Sequence, residues 1–421
     1  MILNYYRISL DIIMKHYLIP ITAILLSIFS CGQTKEEPTY IPSQTVSIPD
    51  DAITFDFDSH LYFNVKINDS IDARLAFDTG NTGLLLDKEF YDGSFGSSHT
   101  LSIAMVSGAG SKTERASIDM KAWNYSIGKY NRNENMAVVL DLRSILGDEV
   151  DGLLGMNMVK DSIVEISYDD SYMRFLPSSF TPDDSYTHIH GSFLDDNHSR
   201  LIMPAKLTID DNTVIDGRFL LDTGAGTGII IGAKTSGKYL LSEKLPNAKL
   251  SHLANGGVGG ETRDYFSPIK EIEIGGYKIC NDIIYFSTDD KGAISDDRYD
   301  GIIGNAILKR YDIIINFSTA DIYIRPSSYF PLPSPKYGTG LTLTRRNKSY
   351  GTWVVNGVVE DCNAHKAGIK SNDMILSING KTIENIDNKT LEEMSHNAEK
   401  WTVKILRGEN VIEVNFEKDV L

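Results

Sequence analysis

Apolar and polar positions alternate along most of the patterned chain, which is the period of a half-buried strand and not of a helix. Leu61–Ile67 and Ala205–Ile209 both alternate in this way. Each runs into turn residues, Asn68–Asp69 and Asp210–Asn212, and then into a short apolar run. Ile163–Ile166, interrupted by Glu165, and Ile313–Ile315 are apolar runs that fit buried strands. Met156–Lys160 and Asn305–Arg310 each suit a single short helix. The pattern predicts a mainly β protein.

The pattern also repeats. Arg74–Gly80 is a short apolar strand ending in Asp-Thr-Gly, and Arg218–Gly224 is another, 144 positions on. Asp151–Gly155 (Asp-Gly-Leu-Leu-Gly) returns as Asp300–Gly304 (Asp-Gly-Ile-Ile-Gly), 149 positions on. Each second motif continues into an alternating strand and reaches a proline 26 residues later, Pro177 and Pro326. Two motifs in the same order at nearly the same spacing define two copies of one lobe, residues 48–180 and 185–326. A turn-rich connector beginning at Pro177 joins them. A proline-rich linker, 327–337, leads to a third unit, 338–421. There the pattern predicts strands at Leu341–Thr344, Trp353–Val359, Met374–Ile378, Thr402–Leu406 and Val411–Phe416. It places helices at Ala364–Ala367 and Lys389–Ala398, with an Asn379–Gly380 hairpin turn.

Composition narrows the function. With 41 Lys and Arg against 57 Asp and Glu the net charge is −16. Such a surface repels phosphate backbones, so no nucleic-acid partner is expected. Three cysteines, Cys31, Cys280 and Cys362, cannot make a disulfide framework. The apolar stretch Tyr17–Phe29 is short for a bilayer span, follows Met14-Lys15-His16 and precedes Ile28-Phe29-Ser30-Cys31. This is the layout of an export signal. Its end resembles a bacterial lipobox, which implies a lipid on Cys31 and removal of the segment before it; residues 1–13, with Arg7 and Asp11, add nothing to a signal already complete from Met14, which is therefore the expected start. Residues 32–47 read as a flexible tether. Gly32 is not an acidic retention residue, so the expected site is the outer membrane, with Cys280 and Cys362 free and buried.

Two Asp-Thr-Gly turns have a direct chemical use. Two carboxylates held about 3 Å apart cannot both ionise and so share one proton. One then takes a proton from water while the other protonates a substrate carbonyl, which hydrolyses a peptide bond without a metal or a covalent intermediate. Asp78 and Asp222 are the candidate pair. Gly80 and Gly224 permit close approach of the two turns, and Thr79 and Thr223 offer hydroxyls to lock them together.

The lobes resemble aspartic proteases of the retropepsin type, fused in tandem. The resemblance rests on Leu221-Asp222-Thr223-Gly224-Ala225 with Gly301-Ile302-Ile303-Gly304-Asn305, and on Phe77-Asp78-Thr79-Gly80-Asn81 with Gly152-Leu153-Leu154-Gly155-Met156. Lobe one departs from the family pattern at Asn81 and Met156. The resemblance implies an endopeptidase acting on peptide or protein, with one active site in a monomer and no cofactor. It also implies a glycine-rich flap, for which the candidates are Gly108 and Gly110 in lobe one and Gly257 and Gly259 in lobe two. The third unit resembles PDZ domains through Ala367-Gly368-Ile369, Asn372-Asp373 and Ile378-Asn379-Gly380. This implies a peptide groove between Trp353–Val359 and the helix Lys389–Ala398, with Tyr350, Gly351 and Trp353 where the family has its carboxylate loop. Such a module would recruit peptide or regulate the protease.

Other constellations are weaker. His188, His190 and His198, with Asp195 and Asp196, are metal-type side chains in or beside the connector, where solvated polar residues are expected, so no metal centre is expected. Asp289–Asp300 is read as a solvated acidic loop. Gly224–Gly228 lacks the spacing of a nucleotide loop. The rival reading is a peptide-binding lipoprotein on the same folds without hydrolysis.

Overall fold

A computed structural model describes residues 48–96, 101–289, 291–330, 332, 334, 337–346 and 350–420. The export signal, Cys31 and the tether lie outside the described residues. Among the described residues no helix is long and apolar enough to cross a membrane.

The two lobes share one strand plan. In lobe one, strand Ile71–Phe77 leads into the first Asp-Thr-Gly and pairs in parallel with Gly152–Leu154. That strand pairs antiparallel with Leu84–Asp87, which pairs in parallel with Ala137–Leu140. In lobe two, Thr213–Leu221, Gly301–Ile303, Ile229–Ile231 and Ile283–Ser287 repeat the same relations. Both lobes hang a hairpin on the last of these strands: Ser102–Val106 with Glu114–Asp119 in lobe one, Lys249–Gly257 with Gly260–Pro268 in lobe two. Asp151, noted as part of the repeat, and Asp300, noted there and also read as part of the solvated acidic loop, are both tied to backbone. Their carboxylates accept from the backbone N–H of Arg74 (3.0 Å) and Arg218 (2.8 Å).

The lobes are joined by a six-stranded sheet, half from each. Ile163–Ser167 of lobe one pairs antiparallel with Tyr311–Asn316 of lobe two, and Tyr172–Leu176 and Asp321–Pro326 flank them. The outer strands are Ile53–Thr54 and Thr187–His190, one from the start of each lobe. The apolar runs seen in the sequence are the middle of this sheet, where Val164 and Ile315 are buried and both lobes share one core.

The third unit has the predicted order of strands and helices, including Leu341–Arg346, Thr352–Val359, Met374–Ile378 and the helix Asn388–Asn397. It is not an independent appendage. The end of Thr352–Val359 pairs antiparallel with Ser251–Leu253 of the lobe-two hairpin, so one sheet runs from lobe two into the third unit. Phe266, from the same hairpin, is buried in the third unit's core. Of the cysteines expected to be free and buried, Cys362 is both, whereas Cys280 is only half-buried.

Candidate active site

Asp78 and Asp222 each follow the last residue of a strand, and the amide of each donates to the Gly-apolar-apolar-Gly strand beside it, to Leu154 O (2.9 Å) and Ile303 O (3.0 Å). The two repeats thereby bring both carboxyls to one place, each beside the glycine of the other lobe's turn. The threonines lock the turns reciprocally. Thr79 Oγ1 donates to Leu221 O (2.7 Å) and accepts from Thr223 N (3.0 Å). Thr223 Oγ1 donates to Phe77 O (2.8 Å) and accepts from Thr79 N (3.1 Å). Both threonines are buried, so all four bonds are made out of water.

The glycines are required by closeness. A Cβ at Gly80 would lie 2.8 Å from Asp222 Oδ2, and one at Gly224 would lie 2.3 Å from Asp78 Cγ. Each glycine thus makes room for the aspartate of the other lobe. Gly80 N and Gly224 N each donate to the carboxylate two residues back, both at 2.8 Å.

Burial pushes both carboxyls above the ordinary range, Asp78 well above it, where the neighbouring charge of Asp222 adds to the rise. The two amide donors pull the other way without cancelling it. Asn81 does not contribute a side-chain donor, because its amide is turned to Gly83 O at 2.7 Å. The pair therefore holds a shared proton beyond the range of a free carboxyl, the state that acid–base hydrolysis needs.

Two residues not singled out for a role frame the dyad. Asn305 Nδ2 donates to Thr223 O (2.7 Å) and to Ser59 O (2.8 Å), and its Oδ1 accepts from the Tyr168 hydroxyl (2.9 Å). One buried amide thus ties the lobe-two turn to two segments of lobe one. The sequence marked Asn305 only as a motif residue; its partners are 82, 246 and 137 positions away. His60 Nε2 lies 3.0 Å from Gly224 O, and burial holds its imidazole below the ordinary histidine range. His60 has no motif signal, and only the lobe–lobe packing brings it to the dyad.

Residues two positions before each aspartate point to the same face as that aspartate. Ala76 joins Leu153 and Tyr62 in one apolar cluster, and Leu220 joins Ile302 and Ile202 in its counterpart. Each lobe thus carries an apolar wall of buried side chains on the strand that leads into its Asp-Thr-Gly turn.

The four flap glycines meet each other. Gly110 N donates to Val258 O (2.9 Å) and Lys112 N to Gly259 O (3.1 Å). A Cβ at Gly110 would stand 2.1 Å from the backbone of Gly259, and one at Gly108 or Gly257 would stand 2.7 Å from Val258 Cβ or Ala109 Cβ. The two hairpin tips are thus hydrogen-bonded to one another, and Val258 packs on the lobe-one wall.

The expected groove in the third unit needs correction. Trp353 is a buried core residue at 2% exposure. Its strand is paired on both sides, with Arg345 at one edge and Ile375 at the other, so no peptide can add to it there. Tyr350 is exposed beneath the Arg346 guanidinium, and Gly351, at φ +66°, makes the turn into the strand. The edge that Thr352–Val359 was expected to offer falls instead to Leu341–Arg346. Lobe one already touches that edge: Asp148 N donates to Arg345 O (2.9 Å), and Arg346 Nε donates to Asp148 Oδ1 (2.8 Å).

Comparison with known proteins agrees with this architecture. Residues 63–158, within lobe one, match the family model described as aspartyl protease, and residues 331–406 match that of the PDZ domain. The chain therefore carries a retropepsin-like aspartyl-protease domain followed by a PDZ domain. No curated protein matches the chain significantly.

Proposed function

We propose that the protein is an aspartic endopeptidase in which Asp78 and Asp222 activate one water molecule. The observation that carries this reading is the apposition of the two carboxyls on turns locked by the reciprocal Thr79–Thr223 bonds. The ionised member takes a proton from water while the protonated member donates to the substrate carbonyl, and the roles reverse as the amine leaves. The apolar walls at Ala76–Leu153 and Leu220–Ile302 favour apolar side chains on both sides of the cleaved bond. Substrate entry requires the hydrogen-bonded hairpin tips to part.

The PDZ domain is read as the element that sets how readily they part. It holds the outer strand of the lobe-two hairpin by strand pairing, and Asn356 clamps Asn255 by accepting from its N–H (2.8 Å) and donating to its O (3.0 Å). Peptide binding along Leu341–Arg346 would be felt at both contacts. The sequence pattern supports export and lipid attachment at Cys31, and the activity is accordingly read as acting outside the cytoplasm at a membrane. Cys31→Ser releasing the protein into the soluble fraction tests that part, and unchanged membrane retention refutes it.

The decisive experiment is cleavage of a peptide library by the wild type, Asp78→Asn and Asp222→Asn. Cleavage before or after apolar residues, abolished in both variants with the fold intact, supports the enzyme. Wild-type turnover in either variant refutes the dyad. Peptide binding without cleavage by the wild type favours the non-catalytic reading.

A further inference from the structure

The histidines of the connector region do not gather as their positions in the sequence suggest. His198 stacks on Phe193, ring centroids 3.9 Å apart, and Asp195 is taken up by Ser199 and by Asn197 N. His188 and His190 go elsewhere. They alternate on the edge strand Thr187–His190 and so share one face of the six-stranded sheet. The antiparallel register sets Asp321 directly opposite His190, and Tyr323 opposite His188.

The three side chains converge. His188 Nε2 is 2.7 Å from Asp321 Oδ1, His190 Nδ1 is 3.6 Å from the same oxygen, and all three ligand atoms lie within 4.8 Å of one another. Their orientation is fixed from behind. Asp321 Oδ2 accepts from Thr319 Oγ1 (2.6 Å), which leaves Oδ1 facing the imidazoles. The His188 ring lies nearly flat on Tyr323 (16° between planes) and meets the His190 ring edge-on at 4.1 Å. The His190 side chain is 84% exposed, so solvent reaches the open side of the cluster.

We propose that His188, His190 and Asp321 bind one divalent transition-metal ion of the zinc class, with water completing the shell. Two imidazoles and one carboxylate are the donor set of Zn²⁺, Co²⁺, Ni²⁺ and Cu²⁺, and too poor in oxygen for Ca²⁺ or Mg²⁺. Tetrahedral zinc with bonds of about 2.0–2.1 Å needs ligand atoms roughly 3.3 Å apart. The spacings to Asp321 Oδ1, 2.7 and 3.6 Å, bracket that value, and the two imidazoles, within 4.8 Å of each other, must rotate to match it. None of the three residues contacts the dyad turns in the bonds described, so the ion is structural. It fastens the four-residue strand that opens lobe two to the strand that closes it.

The test uses the purified full chain, stripped with a chelator and titrated with Zn²⁺ and, separately, Co²⁺. The expected result is one tight equivalent, with Co²⁺ giving the visible absorption of a low-coordinate site. Affinity should fall at least tenfold in His188→Ala and in His190→Ala, and stay at the wild-type value in His198→Ala. Circular dichroism of each variant separates loss of the site from loss of the fold, and the exposure of His190 makes its replacement the safer of the two. Absence of a tight equivalent, or an affinity equal in His190→Ala and the wild type, overturns the site. Loss of peptidase activity in the stripped wild type, restored by Zn²⁺, would overturn the purely structural assignment.

Discussion

Thr223→Val removes one hydroxyl from the centre of the lobe junction while nearly conserving volume. Its cost follows from the bonds. Thr223 Oγ1 accepts from Thr79 N at 3.1 Å and donates to Phe77 O at 2.8 Å, with Thr223 1% and Thr79 0% exposed. The valine methyl leaves the buried Thr79 N–H facing carbon, and an orphaned buried donor costs about 1–3 kcal/mol. Losing the second bond adds about 1 kcal/mol, less than the first because a carbonyl oxygen keeps another lone pair for other donors. Destabilisation of about 2–4 kcal/mol is expected, a large share of the roughly 5–15 kcal/mol that holds a typical domain folded. Thr79→Val should cost a similar amount, because the pair is reciprocal. The double variant should cost less than the sum, since both hydroxyls hold the same junction and the second has less to lose once the turns have separated. The assay is urea unfolding followed by far-ultraviolet circular dichroism, with peptidase turnover measured alongside. Thr223→Ser is the control: it keeps the hydroxyl and should recover most of the loss. A cost under about 1 kcal/mol for Thr223→Val, or a serine variant as damaged as the valine one, refutes the reasoning.

Three further outcomes are expected. Asn356→Leu removes both clamps on Asn255 and should loosen the lobe-two hairpin, seen as faster amide exchange at residues 251–257 with the PDZ core unchanged; unaltered exchange there refutes the coupling. Asp264, in the same hairpin, is pushed by burial up to about 6 from an ordinary 3.8. Because the folded value lies above the unfolded one, stability falls as pH rises from about 4 to 6, by at most about 3 kcal/mol. Asp264→Asn should therefore stabilise the protein at pH 7–8 and change little near pH 4, and an equal effect at both would refute it. For the dyad, burial raises both carboxyls and neither Asn81 nor Ala225 supplies a side-chain donor, so activity should peak at mildly acidic to neutral pH. Ala225→Thr should move the acid limb lower by offering a hydroxyl to the charged form, and a wild-type optimum near pH 2–3 would contradict this.

The chain's own pattern determined the strands, the two-lobed repeat and the dyad, because these are local or periodic facts. An Asp-Thr-Gly turn needs only its own three residues and the apolar strand before it. The repeat at Asp151 and Asp300 shows as spacing alone. The order of strands and helices in the PDZ unit was legible for the same reason, including the Asn379–Gly380 turn. Only the tertiary structure decided what those elements touch. Asn305 ties the lobe-two turn to Ser59 of lobe one and His60 reaches Gly224 of lobe two, and no spacing rule encodes contacts across 246 or 164 positions. Trp353 resembles a groove residue in sequence, yet pairing on both sides of its strand makes it core. His188 and His190 lie on a strand whereas His198 lies in a loop, and Asp321 joins the first two through sheet register, a property of two chain segments together. Hydrophobic periodicity fixes which face of an element is buried. The identity of its neighbour is set by long-range packing, and at the paired aspartates, the hairpin tips and the PDZ seam that packing is what the proposed function requires.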